Sequence, residues 1–345
     1  MGDNNVTRVL GASNLQDNIS IEVTVLCICR GVISFLGIVS NTLTIRTFLA
    51  MGVKDGVTLA FLYLSVSDQL YLVTITVASI SYIFQIIELI SSFRLYFPID
   101  PYGINTFFIN IGGGFFANTI LTITFLSITR CLSVAKPLWF RKKLSSKKWT
   151  VIFMLTSGTS CVLSVIPILA YMGIIQSYDF RIHTVRAMLW ISPYRKWVTY
   201  IIWPIRDTFM PIAIQVILVI CAIVMKRHLI KASSFRQQHT RLDETSIAND
   251  MNNYNIKDTK LKGKELHIIQ QLLVLSVIFI ISSLPKVVHH TTKLVLAEYA
   301  LDGRYGRIYE SMSVIKDTCQ MIYSCSNIFV YYKYNSKFRS LLWKK

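Results

Sequence analysis

The segment Ser127-Ile-Thr-Arg-Cys-Leu-Ser-Val-Ala-Lys-Pro-Leu138 ends the third of seven long apolar stretches in this chain. Its first cation, Arg130, stands at the end of a predicted helix, and the lysine and proline that follow open a basic loop. Arg130 keeps its charge under all ordinary conditions, so it needs an anion or water there. Because charged groups are expensive at membrane depth, we interpret Arg130 as part of a buried working site.

The composition is too apolar for an ordinary soluble domain, with 53% hydrophobic and 16% charged residues and a mean hydropathy of +0.48. A helix of about 20 apolar residues crosses the roughly 30 Å hydrocarbon layer of a bilayer. Seven runs reach that length: Val23–Leu49, Val57–Leu89, Tyr102–Val134, Trp149–Ile175, Val198–Met225, Leu266–Leu296 and Ile308–Tyr332. The sequence therefore predicts an all-α, seven-transmembrane helix bundle.

The net charge of +18 is distributed unevenly. Most of the 36 Lys and Arg residues lie in the loops and the carboxyl-terminal tail that share one side of the predicted bundle, and four lie inside spans. The positive-inside rule then places the amino terminus outside and the carboxyl terminus in the cytoplasm. This basic surface is expected to face anionic lipids and a cytosolic partner, and it does not indicate nucleic acid binding.

Three regions follow from this pattern. Residues 1–22 form a polar extracellular tail in which Asn5 and Asn18 begin glycosylation triplets. Residues 23–332 form the seven-span domain, whose inner loop 233–263 is polar and expected to be disordered. Residues 333–345 alternate basic and apolar side chains, as a short amphipathic surface helix does.

All seven cysteines lie in or at the edge of a predicted span. None lies in an outer loop, so no disulfide is predicted, and the loop Tyr178–Trp197 should be held by packing alone and be mobile. Cys27-Ile-Cys29 is too closely spaced for a zinc clip, so no metal site is predicted from these residues.

Each span carries a polar residue, an aromatic residue or proline as a marker. In chain order the markers are Gly37-Ile-Val-Ser-Asn41, Leu64-Ser-Val-Ser-Asp68, Ile128-Thr-Arg130, Trp149, Pro211, Ser282-Ser-Leu-Pro285 and Asn327-Ile-Phe-Val-Tyr331. Together they resemble the motifs of the rhodopsin-like family of G-protein-coupled receptors, and the resemblance covers about Gly31 to Arg339. Within that family, the sequence as a whole is similar to molluscan chemosensory receptors and to neuropeptide receptors of the FMRFamide type.

The resemblance implies a plasma-membrane receptor, not an enzyme, that acts on a heterotrimeric G protein, with arrestin and a receptor kinase as further partners. It assigns activation and G-protein coupling to Arg130, Glu265, Asn327, Tyr331, Pro285, Phe279, Pro137 and Leu138. A charge-assisted pair between Arg130 and Glu265 would hold spans three and six together at the inner face. Pro285 removes one helix hydrogen bond and supplies a pivot in span six.

Asp68 is a lone carboxylate at mid-depth of the second span. Its expected partners are Asn41, Thr119, Ser324 and Asn327. The resemblance implies a small hydrated pocket that can hold a sodium ion, and no other cofactor. A protonated aspartate in a polar network is the alternative, because burial favours the neutral acid.

The outer half of the bundle is the expected ligand site. The residues that favour this are Arg206, Asp207, Lys286, Lys316, Asp317 and Gly112, of which the glycine leaves room. Three cations and two carboxylates suit a small zwitterionic or acidic ligand or a short peptide. Without ligand we expect Lys286 to pair with Asp317 and Arg206 with Asp207.

Two other classes of membrane protein remain open. A seven-span ligand-gated channel of the insect odorant-receptor kind would place its amino terminus inside, which the charge distribution opposes. A transporter would show paired broken helices in two related halves, and the sequence shows no such symmetry. A membrane enzyme would need a catalytic motif such as a nucleophile elbow, which we do not find.

The predicted inner clamp can be tested by Glu265→Ala. Loss of the carboxylate frees Arg130 and the inner end of span six, so basal signalling should rise. A reporter of G-protein activity in cells measures this at matched surface expression. Unchanged basal activity would argue against the clamp.

Overall fold

The structure is a computed structural model of the 345-residue chain. It describes residues 21–90, 96–143, 146–179, 183–192, 194, 200–245, 253–300 and 303–343, without the side chains of 21–23, 141, 168, 229, 231–245 and 253–266. The predicted glycosylation sites Asn5 and Asn18 and the side chain of Glu265 therefore lie outside the described part.

The described residues form nine α-helices and one β-hairpin. The helices are α1 (Ile21–Met51), α2 (Gly56–Ile90), α3 (Pro101–Ala135), α4 (Pro137–Lys143), α5 (Lys147–Ala170), α6 (Met210–Thr245), α7 (Asn253–Val295), α8 (Gly306–Tyr334) and α9 (Ser336–Leu342). A π-helical turn, Pro204–Phe209, leads directly into α6. The hairpin consists of β1 (Met172–Asp179) and β2 (Thr184–Ile191).

Local sequence explains where these helices begin and end. Gly52 follows α1 with φ 78°, a left-handed conformation that glycine adopts without the steric cost of a Cβ. Asp55 caps α2 by accepting a hydrogen bond of 2.9 Å from the Thr58 amide. Asp100 caps α3 in the same way, with Pro101 at the first helical position.

The long helices pack around α3. It contacts α2, α5, α6 and α7, while α1 contacts α2 and α8, and α8 in turn contacts α7. The core lies between these helices and includes Leu64, Ile123, Leu218, Leu275 and Met321. This arrangement brings residues far apart in the sequence to the same depth.

Several of these helices indicate a membrane-embedded, multi-pass protein. Seven of the described helices are long, and six of them, all except α8, are long and apolar enough to cross a bilayer. Outward-facing apolar side chains such as Leu155 and Leu163 of α5 are 67% and 64% exposed, as expected for contact with lipid. The eighth helix, α8, carries Glu310, Lys316 and Asp317 within its length, which lowers its mean hydropathy.

The short helix α9 follows α8 as the amphipathic pattern predicts. Asn335 caps it by accepting a hydrogen bond from the Phe338 amide at 3.0 Å. The ring of Phe338 is buried, with its centroid 5.2 Å from Phe48 and 5.7 Å from Tyr331. Its apolar side is therefore anchored to α1 and α8.

The hairpin corrects the expectation of an all-α fold. The span predicted as Trp149–Ile175 ends as a helix at Ala170, and β1 begins two residues later. Ile174 pairs with Leu189 and Ile175 with Met188 across the antiparallel register. Apolar β-branched residues after the helical cap thus belong to a strand and not to the span.

One buried arginine ties this hairpin to the bundle. Arg186 of β2 lies 2.5 Å from Glu88 at the end of α2, 2.7 Å from Asp179 and 3.5 Å from Asp100. The Asp100 amide also donates to the Ala187 carbonyl at 2.9 Å. The expectation that packing alone holds this loop is therefore wrong, because ion pairs and backbone hydrogen bonds connect it to α2 and α3.

Helices α6 and α7 both extend into the predicted inner loop. The backbone stays helical to Thr245 and is helical again from Asn253. Residues 246–252 lie outside the described part. Helix-favouring lysine and glutamine residues flank this segment on both sides.

Arg186→Gln tests the tether. It leaves three carboxylates together without their cation, so we expect a loss of about 3–5 kcal/mol in stability and faster amide exchange in the hairpin. Hydrogen exchange of the purified full-length protein, read by mass spectrometry, measures the effect. Arg304→Gln is the control, because Arg304 is exposed and only lies over the Tyr305 ring. Equal exchange in the two variants would contradict the tether.

Candidate functional site

A widened helical turn positions the two charged residues of the fifth long segment. The Met210 amide donates to the Ile205 carbonyl five residues back, the hydrogen bond of a π-helix. Pro211 follows directly, and its ring cannot fit against the carbonyl of a regular α-helical turn. The extra residue lets Arg206 and Asp207, although adjacent, both face inward, with 8% and 7% of their surface exposed.

Asp207 is shared by two cations from two elements. Arg206 donates from Nη2 to Oδ2 at 2.8 Å and from Nε to Oδ1 at 3.2 Å. The Lys286 ammonium of α7 lies 3.4 Å from Oδ1 of the same carboxylate and 5.3 Å from the centroid of the Phe116 ring. The carboxylate thereby joins the π-helical turn to α7 at the residue after Pro285.

A second pair lies on α8. Lys316 Nζ is 2.7 Å from Asp317 Oδ1, and Arg30 of α1 approaches Asp317 Oδ2 to 3.9 Å. Arg30 also donates from Nε to Ser79 Oγ at 3.0 Å. Arg30 is one of the four cations inside predicted spans and is not among the predicted site residues. Its position deep in an apolar helix is the signal that could have identified it as one.

The pairing differs in one respect from the prediction. Arg206 pairs with Asp207 as expected, but Lys286 also pairs with Asp207 and not with Asp317. The π-helical turn explains this difference, because it directs Asp207 toward α7. Asp317 already pairs with Lys316 on its own helix and with Arg30 of α1.

These residues form what we call the charge cluster: Arg30, Arg206, Lys286, Lys316, Asp207 and Asp317. It holds four cations and two carboxylates, so its formal charge is positive. Arg206 Nη1 is buried and makes no hydrogen bond to any of the described residues. A buried donor without an acceptor is costly, so an anionic group is the chemistry that this cluster can accept.

The glycine triplet on α3 serves mainly helix packing. A Cβ at Gly112 would collide with Thr74 of α2, and one at Gly114 would collide with Val165 of α5. Gly113 is the member that faces the guanidinium of Arg206, at 3.7 Å from an added Cβ. Gly112, predicted as a ligand residue, thus lies against α2.

An aromatic layer connects the charge cluster to the middle of the bundle. The Tyr71 hydroxyl donates to the Asp317 carbonyl at 3.4 Å, and its ring lies 5.1 Å from that of Phe116. Phe116 stacks on Phe279 at 6.3 Å, and Phe279 meets Tyr323 edge-on at 5.1 Å. Phe279 is therefore linked through Phe116 to Lys286 of the charge cluster, and its role in activation stays a prediction.

The Asp68 network lies beneath this layer. Asp68 is fully buried and accepts hydrogen bonds from Asn327 at 2.7 Å, Thr119 at 2.9 Å and Ser324 at 3.0 Å. Asn41, the fourth predicted partner, donates instead to the Ser324 carbonyl at 3.1 Å. Three helices, α2, α3 and α8, thus meet at one carboxylate, and α1 joins through Asn41.

No metal group accompanies this carboxylate. Among the described His, Cys, Asp and Glu residues, no three come together in a way that could hold a metal ion. The seven cysteines all lie in the described part and are free thiols. A sodium ion at Asp68 would therefore rely on hydroxyl, amide and water oxygens, and it stays a prediction.

The inner end of the bundle presents the remaining predicted residues. Arg130 is half-buried near the end of α3, and Ser127 lies 2.9 Å from Ser276, which ties α3 to α7. Pro137 begins α4, and the Leu138 side chain is 85% exposed. Tyr331 is fully buried against Phe48 and Phe61.

Ser283 joins α6 to α7. Its hydroxyl accepts from Gln215 Nε2 at 2.8 Å and donates to the Ile280 carbonyl at 3.2 Å. This contact lies two residues before Pro285. A polar contact between two helices therefore lies beside the predicted pivot.

Comparison with known proteins adds no assignment. Neither a scan of protein-family models nor a search of curated proteins found a match to this chain. The case for function accordingly rests on the placement of the charge cluster, the Asp68 network and the inner end of α3.

A double-mutant cycle tests the pairing of Lys286. Combining Lys286→Met with Asp207→Asn should give a coupling free energy of about 0.5–3 kcal/mol, because the two groups are in direct contact. The cycle of Lys286→Met with Asp317→Asn is the matched control and should be additive within about 0.5 kcal/mol. Thermal unfolding of the purified protein supplies the values. The reverse order of couplings would restore the pairing expected from the sequence.

Proposed function

We propose that this protein is a seven-span receptor of the rhodopsin-like type that couples an extracellular ligand to a heterotrimeric G protein at the plasma membrane. The main support is the position of α3. It contacts four of the other long helices, borders the charge cluster through Gly113 near its outer end and carries Arg130 near its inner end. One helix thus adjoins both the proposed ligand site and the proposed partner site.

The proposal includes α8 as the seventh span, although α8 is less apolar than the other six. Its charged and polar residues face inward, since Asp317, Gln320, Ser324 and Asn327 are all buried. Those groups meet partners on α1 and α2, so a bilayer would not have to solvate them. The amino terminus would lie outside and the basic carboxyl terminus inside.

Signalling would be a population shift between two arrangements of the inner face. A ligand that competes for Asp207 or Lys286 acts on the residue directly after Pro285. Small movements at a proline bend can become a rigid-body swing of the inner half of α7. The ligand must favour the open arrangement by several kcal/mol to act as a strong switch, about 5.5 kcal/mol for a shift from 1:99 to 99:1.

The inner face offers the chemistry of a protein partner. Leu138 is an exposed apolar side chain beside basic residues of α4, which suits insertion into a pocket on the G protein. Arg130 and Glu265 would form the clamp that this partner replaces. Arrestin and a receptor kinase would use the same face, and a chemosensory or neuropeptide role is the finer proposal.

A calcium assay with chimeric G proteins tests this function. Cells expressing the receptor should respond to at least one member of a panel of amino acids, small acids and short peptides. Arg130→Ala, at equal surface expression, should abolish the response, because coupling is lost while the ligand site stays intact. A reporter fused after Lys345 should lie in the cytoplasm, and its appearance outside would refute the topology and favour a channel of opposite orientation.

A further inference from the structure

An aromatic box lies at the outer end of α7 and already contains an ammonium group. Lys293 Nζ sits 4.7 Å from the centroid of the Trp203 ring and 5.3 Å from that of Tyr309. It also donates to the Tyr309 hydroxyl at 3.3 Å. Cations over aromatic faces at such distances are attracted by the ring quadrupole, most strongly by tryptophan.

The box is built from three elements. Trp203 precedes the π-helical turn, Tyr309 belongs to α8, and Tyr299 lies between α7 and α8. Tyr299 packs edge-on against Tyr309 at 5.3 Å, and its hydroxyl lies 2.9 Å from His289 Nδ1. Burial and the nearby Tyr309 raise the pKa of the Tyr299 phenol, which therefore stays neutral and keeps its hydrogen bond. We use the name aromatic box for Trp203, His289, Tyr299 and Tyr309.

The aromatic box and the charge cluster lie along one face of α7. Lys286 and Lys293 are seven residues apart, which places them on the same side of a helix two turns from each other. At 1.5 Å per residue their backbones are separated by roughly 10 Å along the axis. Trp203 and Arg206, their counterparts on the facing segment, are separated by three residues.

The charge cluster, at the inner end of this face of α7, has an affinity for anions. Arg206 Nη1 is buried and has no acceptor within the described part of the chain, and Lys286 is a second buried cation that contacts the same Asp207 carboxylate. The outer end has an affinity for cations, since two of its rings, Trp203 and Tyr309, already contact an ammonium group. Lys293 is half-buried and stands in the last turns of α7, so its long side chain can swing out to water.

We propose that the outer half of the bundle takes a zwitterion of short-peptide length. Its carboxylate would bind Arg206 and Lys286, and its ammonium would displace Lys293 from the aromatic box. This inference specifies the ligand class of the proposed receptor. It rests on the proposed function for the statement that binding leads to signalling. A charge separation of roughly 10 Å corresponds to about three extended residues, at 3.3–3.6 Å each.

The required charge separation distinguishes between the classes of candidate ligand. A free α-amino acid carries its two charges on adjacent carbons and cannot reach both ends. A small acid uses the inner end alone and leaves Lys293 in place. Lys293 thereby acts as a built-in competitor that only a ligand with a correctly placed ammonium can replace.

A series of ω-amino acids measures the charge separation that the site accepts. Glycine, 4-aminobutyrate, 6-aminohexanoate, 8-aminooctanoate and 10-aminodecanoate differ only in the distance between charges. Binding is measured as a shift in the melting temperature of purified full-length protein in lipid nanodiscs. We expect the strongest binding near 8-aminooctanoate, and triglycine should bind more tightly than glycine. Affinity that is independent of length, or greatest for glycine, would overturn the inference.

Blocked ligands and two variants test each end separately. N-acetylated 8-aminooctanoate and its carboxamide analogue should each bind at least about tenfold more weakly, as one ionic contact is lost. Lys293→Gln, which removes the competitor, should tighten 8-aminooctanoate by about tenfold, whereas Trp203→Leu should weaken it to the level of the acetylated ligand. Lys333→Gln is the control, since Lys333 lies over the Tyr334 ring at the opposite end of α8.

The outcomes separate this inference from the proposed function. Length-dependent binding without any G-protein response would leave the ligand class standing and refute the receptor role. A G-protein response combined with equal binding of acetylated and free ligands would do the opposite. Unchanged affinity in a folded Lys293→Gln protein would show that the lysine does not occupy the ligand's place, and the inference would fail.

Discussion

The structure depends on how buried charges are compensated inside an apolar bundle. An isolated ion in such a medium costs several kcal/mol even after relaxation, and partners offset this only when their geometry is good. Asp207 meets this condition by contacting Arg206 in its own segment and Lys286 on α7. Because Lys286 follows Pro285, the electrostatic contact and the bend in the helix coincide. One carboxylate thus links the two segments at the position of the bend.

The same constraint explains the layered interior. Charges lie toward one end, an aromatic layer of Tyr71, Phe116, Phe279 and Tyr323 follows, and Asp68 lies below with three hydrogen-bond donors. The rings separate the two polar layers and contact both. α8 contributes to all three layers, which is why it carries more polar residues than a helix that contacts only lipid and apolar neighbours.

The attachment of the hairpin also depends on a buried charge and its partners. Without a cysteine in this loop, Arg186 links β2 to the end of α2 and to the start of α3 through carboxylates. Three carboxylates compete for one guanidinium, which has five N–H donors in a planar fork and so can serve several acceptors at once. An ionic tether of this kind holds the hairpin to α2 and α3 without a covalent bond.

From the sequence alone one could predict α1, α2, α3 and α8 to within two residues, the short helix α9 and three of the four groups around Asp68, because apolar runs, caps and single polar residues are local signals. The bounds of α5, α6 and α7 differ more, since a strand follows α5 and both α6 and α7 continue into the polar loop between them. The π-helical turn, the pairing of Lys286 with Asp207, the contribution of Arg30 and the hairpin came only from tertiary structure. Each depends on the rotation and depth of one segment relative to another. A single additional residue in a turn rotates every side chain beyond it, and a pattern along one chain does not contain that information.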